Sequence, residues 1–193
     1  MMNVLRKVAR VSARAWFILF VISALICVFA LRHNNQHMAK LRDAVYVADK
    51  NNGNVEKAMD SLRSYVFAHM NTSLSSGTGI TPPIQLKYTY QRLVMAKEDE
   101  IQQANQNIYN SAASYCRAHI AGTLDSDLLA CVQNYAVKHG VTAGVSAIPT
   151  GLYEFDFVSP AWSPDLAGWS LITTIALFIA FAIKFLAGRI RHS

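Results

Sequence analysis

Neither residues 1–14 nor residues 166–193 of this 193-residue chain contain an aspartate or a glutamate. All twelve acids lie between Arg32 and Asp165, and so do eleven of the 18 lysines and arginines. That middle stretch is therefore near neutral at −1, although the whole chain carries +6. The basicity belongs to the two ends, and no basic patch with interleaved aromatics exists, which excludes the usual nucleic-acid footprint. The sequence also lacks a GxSxG elbow, a phosphate-cradling glycine loop, an HExxH pair and a dinucleotide fingerprint. The expectation is a protein that is not an enzyme and holds no cofactor or metal. There are only three cysteines and no CxxC, so no redox motif is present. Proline and glycine are both missing from residues 15–49. Nothing there interrupts a helix.

Two apolar runs are present instead. Residues 166–187 read LAGWSLITTIALFIAFAIKFLA. As a helix they reach about 33 Å, enough to cross a bilayer core. Residues 15–31 form a second run of about 26 Å, which Arg14 and Arg32 can complete by snorkelling. Arg6, Lys7, Arg10 and Arg14 precede the first run, and Lys184, Arg189 and Arg191 close the second. Cations near span ends stay on the cytoplasmic side. The expected organisation is a basic cytoplasmic tail (1–14), a first transmembrane helix (15–31), an extracytoplasmic helical domain (32–165), a second transmembrane helix (166–187) and a basic cytoplasmic tail (188–193). The lipid bilayer is the first partner implied. Val28-Phe29-Ala30 has the form of a signal-peptidase site. However, Leu31, Met38, Leu41, Val45 and Ala48 carry a helical face straight past it, which a span running into a protruding helix explains. Ile26 is too bulky for Cys27 to be a lipid-attachment cysteine.

The middle segment reads as helices. Asn51-Asn52-Gly53 ends the first, and Asn54 caps a second that is expected from Val55 to about Leu74, with Val55, Met59, Leu62, Val66, Met70 and Leu74 as its apolar stripe. Residues 73–83 form a loop. Thr81 and Pro82 are expected to open a third helix reaching about His119, with Leu86, Tyr90, Leu93, Ala104, Ile108, Ala112 and Tyr115 on one face. A fourth helix runs from Ser126 to His139, closed by Gly140. The fold class is mainly α: two transmembrane helices flanking an up-down bundle of three to four helices.

Few residues invite a chemical role. Cys116 and Cys131 both fall in the displayed segment, where a disulfide is the expected state. His33 and His37 are one helical turn apart without an evident third ligand, and read as exposed head-group histidines. In YEFDFVSPAWSPDLAGW, aromatics alternate with acids at Tyr153, Phe155 and Phe157, and Trp162 and Trp169 suit a membrane interface. Trp162, Trp169, Arg14, Arg32 and Lys184 are the expected interfacial anchors. Tyr153, Phe155, Phe157 and Trp162 are the candidate partner-docking residues.

The FDFVSPAWSPDLAGW segment, with RSYVFAHMNTSL and TPPIQLKYTYQRL upstream, resembles a group of two-span membrane proteins from small-genome candidate-phylum bacteria. The likeness covers about residues 42–187. It implies a bacterial envelope location and brings no activity or catalytic residue. The functional expectation is an interaction or scaffold subunit of a larger membrane or surface assembly, with a protein partner or a homo-oligomer in the membrane. The alternative is an extracytoplasmic ligand-sensing module that signals through a partner.

Overall fold

The structure, a computed structural model, describes residues 12–75, 79–119, 125–142 and 144–190. Arg6, Lys7, Arg10 and Arg191 of the expected basic tails lie outside the described residues. The described part is mainly helical, with five α-helices and two apolar ones at its ends: α1 (Ala13–Lys50), α2 (Val55–Ala68), α3 (Lys87–His119), α4 (Asp125–Lys138) and α5 (Leu166–Ile190). Two short strands, β1 (Ile84–Gln85) and β2 (Glu154–Phe155), pair with each other. Packing divides the chain into one unit made of Met1–Ile84 with Phe155–Ser193, and another made of Gln85–Glu154.

In the first unit α1 is unbroken over 38 residues, as the lack of glycine and proline requires. Ser12 caps it, its hydroxyl accepting from the Ala15 amide at 3.3 Å. The buried face is Ser23, Cys27, Ala30, Asn34, Met38, Val45 and Asp49, a helical stripe with polar residues set among apolar ones. At its far end the Gly53 N–H reaches the Ala48 carbonyl at 2.8 Å and Asn52 adopts φ 52°. This is a Schellman-type stop with asparagine in the left-handed position. Asn54 then caps α2 through the Lys57 amide at 2.8 Å. Met59, Leu62 and Val66 of α2 are buried where α2 packs on α1, whose Met38 and Val45 are buried too. Each contributes about 1.5–3 kcal/mol by leaving water.

α1 and α5 run antiparallel. From Phe17 to Asn34 the partners on the other helix run backwards: Phe17 meets Phe181 at 5.3 Å, Phe20 meets Phe178 at 5.4 Å, and the Ser23 and Thr174 hydroxyls are 2.8 Å apart. Ala30, Met70 and Ala167 then close a small apolar core with Leu31 and Leu171. Both α1 and α5 are long and apolar enough to cross a membrane, and 17% and none of their most apolar windows is buried. This suggests membrane association.

Two expected boundaries move. α2 stops at Ala68 rather than near Leu74. His69 is extended, Asn71 sits at φ 60°, and the Thr72 hydroxyl takes the free carbonyls of Val66 and His69 at 3.4 and 3.0 Å. Met70 and Leu74 stay buried without the helix, Leu74 because Arg42 of α1 holds its carbonyl at 2.8 Å. α3 begins at Lys87, not Pro82. Each residue preceding a proline is driven out of the helical region, which disfavours helix at both Thr81 and Pro82. Ile84, fully buried, starts β1 instead.

In the second unit α3 and α4 form an antiparallel pair. Cys116 and Cys131 come to disulfide distance with their Cα atoms 6.0 Å apart, and Tyr115 packs on Tyr135 at 5.3 Å. Asn105 makes a reciprocal pair with Thr142, donating to its carbonyl at 2.8 Å and accepting from its amide at 3.0 Å. Asn105, Ile108, Ala112 and Cys116 lie on the more shielded side of α3, whereas Ala104 of the expected face is exposed and Tyr115 is exposed yet meets Tyr135 of α4. α4 ends as expected at Gly140, whose φ is 83°. The Val141 amide bonds the Ala136 carbonyl at 3.2 Å, and the Gly140 amide bonds the Val137 carbonyl at 3.3 Å.

Candidate functional site

The densest polar chemistry in the first unit lies where α5 begins. Asp165 is the N-cap of α5: its Oδ1 accepts from the Gly168 amide at 2.9 Å, and its own carbonyl takes the first helical bond from Trp169. Oδ1 also accepts from the Ser163 hydroxyl at 2.9 Å, and Oδ2 accepts from the Asn34 side-chain amide at 2.7 Å. Ser163, almost wholly buried, accepts in turn from the Met70 backbone amide at 2.9 Å. Asn34 further reaches the Met70 carbonyl at 3.4 Å. One carboxylate thus joins α1, the turn after α2 and the start of α5. Burial raises the Asp165 carboxyl, but the Gly168, Asn34 and Ser163 donors and the nearby His69 outweigh it and hold the group below its ordinary value.

Gly168 has a structural reason. A Cβ there would collide with the Ser163 carbonyl oxygen and stand 2.7 Å from the Trp162 indole nitrogen. The hairpin entering α5 closes only over a residue without a side chain.

Beside this node the rings of α1 and α2 form a ladder. His33 and His37 have centroids 6.4 Å apart, His37 lies 4.5 Å from Tyr65, and Tyr65 stacks on His69 at 4.0 Å. The His69 Nδ1 is 2.9 Å from the Tyr65 carbonyl, so it acts as the donor there. Burial pushes the Tyr65 phenol up, and the Asp165 charge adds to the shift. The ladder lines an open groove of about 870 Å3, whose other walls are Asp165, Arg32 and, on the apolar side, Ile26, Phe29 and Leu166. Among the described residues no group of three or more histidine, cysteine, aspartate or glutamate side chains could hold a metal ion.

The expected interfacial anchors divide between the two ends of the α1–α5 pair. Arg14 lies one turn before Phe17 and Lys184 one turn beyond Phe181, so both belong to one end. Arg32, Trp162 and Trp169 belong to the other, where the two indoles meet edge to face at 5.8 Å. Between these levels α1 rises about 27 Å from Arg14 to Arg32 and α5 about 22 Å from Trp169 to Lys184, the order of a hydrocarbon core.

The candidate docking residues divide between the two units. Tyr153 belongs to the second unit, packed on Tyr90 at 4.8 Å, and the other three belong to the first. Phe155 lies half-buried in β2. Phe157 packs edge-on to Phe67 at 6.0 Å, under the Arg63 guanidinium. Trp162 is 42% exposed. The residues that join the segments, Asn34, Ser163, Asp165 and Gly168, carry no apolar signal, but Ser-Pro-Asp directly before an apolar run is an N-cap pattern. No protein-family model, curated protein or solved structure matches this chain.

Proposed function

We propose that this chain is a membrane-anchored interaction or scaffold subunit of the bacterial envelope. In this reading α1 and α5 cross the cytoplasmic membrane, both termini are cytoplasmic, and residues 32–165 are displayed outside as a helical bundle. Arg14, Lys184 and Arg189 cluster at one end of the helix pair, which supports a cytoplasmic location for that end. A cysteine pair at disulfide distance suits an oxidising compartment for the rest. The envelope location is also what the family resemblance implies.

The observation that carries the interaction role is the exposed apolar surface of the Gln85–Glu154 unit. Met95, Tyr109, Leu129 and Val137 of α3 and α4 are 55%, 45%, 58% and 80% exposed, while Ala112 and Cys116 are the only residues of α3 that are fully buried. Side chains of this kind are the ones that contact surfaces recruit. The test is cross-linking mass spectrometry in native membranes, followed by purification in mild detergent. Cross-links from α3 or α4 to a second polypeptide, or to a second copy, are expected; recovery of the chain alone as a monomer overturns the reading. Orientation is tested by reducing intact cells and adding a membrane-impermeant maleimide. Labelling of Cys116 and Cys131 only after reduction is expected, and thiols shielded and unpaired from the start overturn it.

A further inference from the structure

We propose that the groove beside α1 seats the headgroup of an aminophospholipid, its phosphate on Arg32, its primary ammonium on Asp165, and an acyl chain along Ile26, Phe29 and Leu166. This rests on α1 and α5 crossing a bilayer, and goes beyond the scaffold role.

Three observations lead there. First, the lining changes character along the helix. Ile26 and Phe29, 44% and 70% exposed, give way within one turn to Arg32 and His33, and Leu166 faces the same groove directly after Asp165. An apolar floor under a polar rim, at the end of two apolar runs, matches the point where acyl chain becomes headgroup.

Second, the rim carries both charges that a zwitterionic headgroup needs. Arg32 is exposed and pairs with no described residue, so its guanidinium is available to a phosphate. Asp165 has about four lone-pair sites. Two protein donors occupy Oδ1 and one, Asn34, occupies Oδ2, which leaves room for a single further donor on the oxygen that Asn34 already fixes. A primary ammonium supplies that donor. A choline headgroup has no N–H to give, and a glycerol headgroup has no cation to neutralise the carboxylate.

Third, the rings of His37, Tyr65 and His69 wall the same space. The Tyr65 hydroxyl and the imidazole nitrogens add hydrogen-bonding groups to that rim. The phosphate-plus-ammonium chemistry is shared by a membrane lipid and by its water-soluble headgroup ester. The exposed apolar floor favours the lipid.

The experiment uses the full chain in nanodiscs of equal parts phosphatidylethanolamine, phosphatidylcholine and phosphatidylglycerol, with native mass spectrometry reading the lipids retained. Preferential retention of the ethanolamine lipid is expected. Arg32→Gln should lower that retention by roughly tenfold, the loss of one charge-assisted contact, with an unchanged thermal melt. Equal retention of all three lipids, a lead for the choline or glycerol lipid, or no effect of Arg32→Gln overturns the proposal. Displacement of bound lipid by an equal concentration of glycerophosphoethanolamine overturns the lipid source in favour of the soluble ester. An alkaline carbonate wash separates the two readings. A chain that leaves the bilayer sinks both, whereas one that stays without lipid preference sinks only this site.

Discussion

The α1–α5 pair and the α3–α4 pair are both antiparallel, yet different chemistry holds each together. Along α1 and α5 the contacts are ring on ring, hydroxyl on hydroxyl and amide on carboxylate, ending at the Asp165 node. Along α3 and α4 they are a cysteine pair, a tyrosine pair and the Asn105–Thr142 clasp. If the proposed spanning arrangement holds, apolar surface surrounded by lipid gains nothing by meeting more apolar surface, and polar joints and close packing set the pairing. A hairpin with few buried side chains gains little from burial either, and a covalent tie takes over. Neither pair depends on a large core.

Substitutions can break that contrast at defined places. Asp165→Ala should have the largest effect. It removes the α5 cap and leaves the buried Asn34 and Ser163 donors without their acceptor, for a loss of about 4 kcal/mol in the first unit. Chemical unfolding of the full chain in detergent, followed at the tryptophans near the node, measures this. Acid provides a second readout. Because folding lowers the Asp165 value, its contribution is complete above the unfolded carboxylate value and lost as pH falls through the folded one. Stability of the first unit should fall below about pH 4, and Asp165→Asn should flatten that slope.

Replacing Cys116 and Cys131 with serine should cost about 3 kcal/mol by the loop-entropy estimate. The loss should be confined to the second unit, visible as faster protease cleavage between α3 and α4 with the first unit's melt unchanged. Equal weakening of both units would erase the contrast. Gly168→Ala should cost about 2 kcal/mol, because the new methyl group forces the Ser163 carbonyl away. The smallest effect is expected at Gly140→Ala. Its left-handed φ of 83° makes the helix stop of α4 costlier by about 1 kcal/mol, read as a small fall in the unfolding midpoint.

Much of the helical organisation was legible in the sequence because it is written in apolar spacing. Met59, Leu62, Val66, Met70 and Leu74 are all buried, as their periodicity implied. That periodicity misplaced the end of α2, since burial persists where Thr72 and Arg42 take over the backbone bonds. Ser23, Asn34 and Asp49 lie on the buried face of α1 but are invisible to a count of apolar residues. The start of α3 was misjudged because Thr81-Pro82 resembles a helix opening, while Pro83 behind it forbids one. The Asp165 node escaped for a different reason. Its partners Asn34 and Met70 are far apart in sequence, and only the fold brings them within reach.

α1 has no joint where the apolar stretch ends. The 19 residues from Arg32 to Lys50 continue the same rod for about 27 Å, up to the Asn52 turn. A rod without a swivel converts rotation at its base into translation at its tip. If α1 crosses a bilayer as proposed, leaning its membrane portion by about 10° would sweep the far turn through about 5 Å, carrying the clasped second helix with it. Bilayer thickness or crowding could in this way become displacement at a distance, with no residue needing to change its conformation.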